Sequence, residues 1–192
     1  MYTDLEICNL GLGKISSSRV SVIAPPRSPL EVYVSAGYPV WRRTELTKRR
    51  WVFALVDDYI MTLSGTATAD TVDSKPYKFD LPSDCLRPVR LRRTEWKQRG
   101  RALYSAYDAL TIQYIRNVDE TEFDPLFVDV LSNRIAVECC EFVTQSNTKK
   151  ESARQGYLEA VTEAKKLNAF VIGPEDIGAD DEDFSFLTAR YT

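Results

Sequence analysis

The clearest periodicity in the chain lies between residues 122 and 170. Phe127, Leu131, Ile135, Cys139 and Val143 recur at four-residue steps, and Leu126, Val130, Ala136 and Cys140 widen the same apolar face. Arg134, Glu138, Glu141 and Gln145 are confined to a narrow polar stripe, so the pattern predicts a helix that is mostly buried. Its start is marked by Asp124, whose carboxylate can accept the first free backbone N–H groups, and by Pro125 at the first helical position. A second helix follows from a Thr148–Glu151 capping box, with Ala153, Tyr157, Ala160, Val161, Ala164 and Leu167 on one face. The link Ser146-Asn147 is short enough to require an antiparallel hairpin.

Thr3-Asp4-Leu5-Glu6 is another capping box, and Leu5, Cys8, Leu12 and Ile15 keep helical spacing, which predicts a short first helix weakened at its end by Gly11 and Gly13. Ser16 to Arg27, with Pro25-Pro26, has the composition of a loop. Ser28-Pro29 opens a second helix carrying Leu30, Val34 and Ala36. Pro39 removes a helical hydrogen bond, so a kink or break is expected at Gly37-Tyr38 before Trp41, Thr44 and Leu46 resume the pattern to about Arg50.

At Trp51 the period changes. Trp51, Phe53, Leu55, Tyr59, Met61 and Leu63 share one parity, interrupted by Asp57, which predicts a strand. After the polar loop GTATADTVDSK, further strands are expected at Tyr77–Phe79, Leu86–Arg93, Arg101–Ser105 and Leu110–Arg116, separated by turn residues such as Pro82-Ser83-Asp84 and Tyr107-Asp108. The order predicts an α+β protein: an antiparallel helical bundle formed by the N- and C-terminal helices, with a small inserted antiparallel β-sheet and an extended C-terminal arm. The expected divisions are 1–50 for the N-terminal helices, 51–117 for the inserted β region, 118–170 for the C-terminal helical hairpin and 171–192 for the acidic arm.

Composition narrows the chemistry. Hydrophobic residues at 44% and charged residues at 28% are the proportions of an ordinary globular protein, not of a disordered or membrane chain. No apolar run approaches the roughly 20 residues that span a bilayer, and MYTDLEICNL lacks the basic flank and apolar core of a signal peptide, so the chain is expected to begin in the cytosol. Histidine is absent, which removes the commonest general base and zinc ligand. Cys8, Cys85, Cys139 and Cys140 show no C-x-x-C spacing, and the vicinal pair falls on a helix where neighbouring side chains diverge; all four are expected to be small buried hydrophobes. Arg87, Arg90, Arg92, Arg93, Lys97, Arg99 and Arg101 crowd one segment, while Glu175, Asp176 and Asp180 to Asp183 crowd the C-terminus around Phe184, Phe186 and Leu187.

Six motifs in order resemble one family. Leu12-Gly13-Lys14-Ile15 at the end of a first helix, Tyr-Pro-x-x-Arg-x-x-x-Leu at Tyr38 to Leu46, and Trp-x-Phe-Ala at Trp51 to Ala54 are followed by Leu81-Pro82-Ser83-Asp84-Cys85-Leu86-Arg87. The strand Leu110 to Ile115, ending in Tyr-Ile, and Phe123-Asp124-Pro125-Leu126-Phe127 before the helical hairpin complete the likeness. Together these stretches, over about residues 1 to 170, resemble the tail tubular protein A group of head-to-tail adaptors from short-tailed bacteriophages. The resemblance implies a virion structural protein, assembled in the host bacterial cytoplasm as a ring of twelve copies between the portal and the tail nozzle. Viral DNA would pass through the ring without sequence-specific binding. It implies no enzymatic activity, no cofactor, no metal and no membrane.

On that reading Arg90, Arg92, Arg93 and Trp96 are candidate contacts to the tail or a neighbouring subunit, and Phe184, Phe186 and Leu187 are candidate contacts to the portal. Two other readings stand beside it. The segment RPVRLRRTEWKQRGR interleaves basic residues with Val89, Leu91 and Trp96, the make-up of a phosphate-gripping ribbon, so Arg87 to Arg101 could form a nucleic-acid-binding module. Asp57-Asp58, or Glu120 with Glu122, could supply the carboxylate pair of a cell-wall hydrolase.

Overall fold

The computed structural model describes residues 2–66, 75–91 and 96–172. Helices α1 (Asp4–Lys14) and α2 (Pro29–Lys48) are followed by a 3-10 turn, Val52–Ala54. Seven strands then run in order as β1 (Leu55–Ile60), β2 (Leu63–Thr66), β3 (Tyr77–Asp80), β4 (Cys85–Leu91), β5 (Trp96–Arg99), β6 (Ala102–Ser105) and β7 (Thr111–Arg116). A second 3-10 turn, Glu120–Glu122, leads to α3 (Pro125–Thr144) and α4 (Asn147–Ile172). The chain divides into two units, Met1–Asp4 with Ser35–Phe123 and Leu5–Val34 with Asp124–Thr192.

The expected helical bundle with a small inserted sheet is therefore corrected. Among the described residues the chain is mixed α/β, with four helices and two antiparallel sheets that hold seven strands. The sheets have orders β1-β7-β4 and β2-β3-β6-β5. One reason is that the alternation beginning at Trp51 is not one strand. Its first residues close a 3-10 turn, in which Ala54 N–H donates to the Trp51 carbonyl at 3.0 Å. At Asp57-Asp58 the ladder bulges, since Val56 faces Tyr114 and Tyr59 faces Ile112, and Asp58 takes a φ of 51°. At Met61 the chain leaves the first sheet for the second, and Met61 N–H donates to the Leu110 carbonyl at 2.9 Å. Met61, Phe79 and Leu103 then meet Cys85, Ile112 and Tyr114 in a core drawn from both sheets.

A second reason is β5. All four of its residues are exposed, so no apolar alternation announces it, yet Arg99 pairs with Ala102 across a tight turn in which Gly100 holds a φ of 58°.

Of the kink or break expected at Gly37-Tyr38, the break is absent: α2 runs through Pro39. The Trp41 indole folds back over Gly37, where an added Cβ would stand 2.2 Å from the ring. Burial of Tyr38 and Trp41 offsets the hydrogen bond that Pro39 forgoes.

In the helical unit α3 is buried around most of its circumference. Asp124 caps it, with Leu126 N–H donating to the carboxylate at 2.8 Å, and Gln145 in the left-handed conformation closes its far end. The Ser146 hydroxyl, accepting from Lys149 N–H at 3.4 Å, starts α4 at Asn147, ahead of the expected Thr148 box. α1 crosses α3 at Gly11, where a Cβ would lie 2.6 Å from the Ser132 carbonyl oxygen. Ala160, Val161 and Ala164 of α4 are buried, whereas Leu167 is 45% exposed. With 26 residues against 20 in α3, α4 outruns its antiparallel partner by roughly 9 Å, and the exposed Leu167 falls where that overhang begins.

Candidate functional site

The motif residues that carry the resemblance sit at structural joints. In the strand-bearing unit, the Glu120 carboxylate accepts from the Tyr38 hydroxyl at 3.1 Å and from Arg42 Nη1 at 2.6 Å, while Arg42 Nη2 donates to Asn117 Oδ1 at 2.9 Å. Burial acts to raise the Glu120 pKa, but the Arg42 hydrogen bond and charge outweigh it, and the carboxyl titrates below its ordinary value. The fully buried Glu45 pairs with Lys48 at 2.8 Å and Arg49 at 3.0 Å, and its carbonyl accepts from Trp51 Nε1 at 3.0 Å.

The Leu81 to Arg87 motif is likewise a joint. Asp84 accepts from the Tyr114 hydroxyl at 3.4 Å, and the Asp84 carbonyl accepts from Asn117 N–H at 2.7 Å. Burial, helped by the Asp84 charge, pushes the Tyr114 hydroxyl up to about 12. Arg101, a member of the basic run, donates to the carbonyls of Pro82, Ser83 and Cys85 and so pins that turn.

The two remaining parts of the basic run are edge strands, β4 in the first sheet and β5 in the second. Arg90 is exposed on β4, and Trp96 is 37% exposed at the start of β5, beside exposed Lys97 and Arg99. Arg87 is half-buried on β4, and its Nε has no partner among the described residues. Arg92 and Arg93 lie outside the described residues, as do Phe184, Phe186 and Leu187 of the expected portal arm.

Three of the four candidate carboxylates are engaged by named side chains. Asp57 accepts from Gln113 Nε2, Glu120 is held by Arg42 and Tyr38, and Glu122 is paired with Arg116. The thiols are buried: burial raises Cys85 to about 11, against the opposing Arg101 charge, and raises Cys139 to about 12. Among the described residues no three Cys, Asp or Glu side chains gather as a metal site, and no helix is long and apolar enough to cross a membrane.

One organising residue had a sequence signal that went unread. Ser28 and Glu31 form a capping box, in which Glu31 N–H donates to the Ser28 hydroxyl at 3.2 Å and Ser28 N–H returns a bond to the carboxylate at 3.0 Å. The same carboxylate accepts from Arg27 N–H at 2.7 Å and from the N–H and hydroxyl of Ser21 at 3.1 and 3.0 Å. These backbone bonds, Arg27 first and Ser21 next, lower the Glu31 pKa to about 2 against a modest opposing effect of burial. Comparison with protein-family models and with curated proteins finds no match for the chain.

Proposed function

We propose that the protein is a non-enzymatic structural component of a bacteriophage virion, a head-to-tail adaptor whose copies form a ring between portal and tail nozzle and line the channel for DNA ejection. It acts at the head–tail junction after assembly in the host bacterial cytoplasm. The observation that carries this reading is the employment of the motif residues: Tyr38, Arg42, Asp84 and Tyr114 all make internal joints that fix one element against another. A family defined by such residues is defined by shape, and shape is what a conduit requires.

Asp57, Glu120 and Glu122, three of the four carboxylates that might have formed a hydrolytic pair, are held by guanidinium or amide groups, which supports a mechanical role over a chemical one. Arg90, Arg92, Arg93 and Trp96 serve protein contacts to the tail or a neighbouring subunit, because a channel through which DNA slides gains nothing from tight phosphate binding. Phe184, Phe186 and Leu187, among carboxylates near the C-terminus, serve the portal contact.

Inactivating the gene in the phage that carries it tests the reading. Such a phage should yield DNA-filled heads that lack tails in negative-stain images, and added purified protein should restore tail attachment. Tailed, infectious particles made without the protein would overturn it.

A further inference from the structure

The two sheets share one arrangement of edges. β1 and β2, consecutive through Met61-Thr62, each form an edge of their sheet, and β4 and β5 form the opposite edges. The two sides differ in chemistry. The β1–β2 side is acidic and apolar, with Asp57, Asp58 and Tyr59 exposed, Ile60 75% exposed and Leu63 exposed as well. The β4–β5 side is basic and aromatic, through Arg87, Arg90, Trp96, Lys97 and Arg99.

We infer that the β1–β2 side of one copy docks on the β4–β5 side of the next. Like sides brought together would oppose carboxylates to carboxylates or guanidinium groups to guanidinium groups, whereas unlike sides pair them and set Ile60 and Tyr59 against Trp96. The contact is made by side chains. Pro88 offers no N–H on β4, and bulges interrupt both β1 and β4, so a regular backbone ladder is disfavoured along these two strands. An interface between two different surfaces repeats from copy to copy and closes as a ring when the rotation permits. The inference deepens the ring reading and rests on it for closure.

The test uses the full-length protein in sedimentation velocity at rising concentration, between about 0.05 M and about 0.5 M salt. Self-association beyond the dimer, weakened by salt, is expected. Ile60→Lys, at a side chain the fold barely uses, sets a cation against the basic side and should weaken it by about tenfold or more, as should Asp57→Arg or the pair Arg87→Glu and Arg90→Glu. An equal mixture of the acidic-side and basic-side variants should regain association, because the reversed charges are again complementary. A protein that stays monomeric throughout has edges that are merely shielded by charge, and that result overturns the inference, as do variants that associate like wild type or a stop at the dimer. Normal self-association with tailed particles formed in the protein's absence would count against the adaptor role alone.

Discussion

Arg42 and Glu120, 78 positions apart in the chain, meet at 2.6 Å with both side chains largely withdrawn from water. The Tyr38 hydroxyl shares the same carboxylate oxygen. Arg42→Ala leaves that carboxylate half-buried and short of its cation, and should cost about 2–3 kcal/mol in urea unfolding. Glu120→Gln, which keeps an acceptor for Tyr38, should cost less. Equal losses for the two variants would show that the charge pairing has no weight.

Gly11 and Gly13 lie in the same helix and should respond in opposite directions. A methyl at Gly11 would stand 2.6 Å from the Ser132 carbonyl oxygen and 2.8 Å from Ile135 Cβ, so Gly11→Ala must push α1 away from α3. A loss of about 1–3 kcal/mol is expected from thermal melting. A Cβ at Gly13 meets nothing within 4 Å, and Gly13→Ala should stabilise by up to about 1 kcal/mol through helix propensity.

Glu31 makes the helical unit sensitive to acid. Its folded pKa, about 2, lies below the ordinary 4.5, so its contribution is complete above about pH 4.5 and is lost as pH falls toward 2. Glu31→Gln should lower the unfolding midpoint at pH 7 by several degrees and flatten the acid limb between those values. An unchanged acid limb in the variant would show that other carboxylates govern it.

Removing residues 173–192 should leave the melting curve unchanged while abolishing attachment to portal-bearing heads, measured by co-sedimentation. Full attachment of the truncated protein would assign the portal contact to another surface.

Much of the local structure was legible because single residues fixed it. Asp124-Pro125 marks the start of α3, and Ala160, Val161 and Ala164 line the buried face of α4 as their spacing requires. The sheets were less legible for physical reasons. The shared parity from Trp51 to Leu63 continues across a 3-10 turn, a two-residue bulge and a change of sheet, none of which alters the order of apolar and polar residues. β5 carries only exposed side chains, so its pairing is written in the Gly100 turn and in β6 rather than in its own composition. Pro39 does not end α2 because its local cost is offset by ring packing that a linear pattern does not show. The basic run was visible as a charge cluster, but its division into the turn-pinning Arg101 and the edge residues Arg87 and Arg90 depends on strand order.

The four buried thiols supply a native clock for opening. Cys85 belongs to the strand-bearing unit, while Cys8, Cys139 and Cys140 belong to the helical one. With Cys85 and Cys139 raised to about 11 and about 12, those two sulfurs are almost entirely protonated at neutral pH and react with an alkylating reagent only when the surrounding structure parts. Mass-resolved alkylation of the unmodified protein therefore times the breathing of each unit separately, and shows which half yields first when the protein is strained.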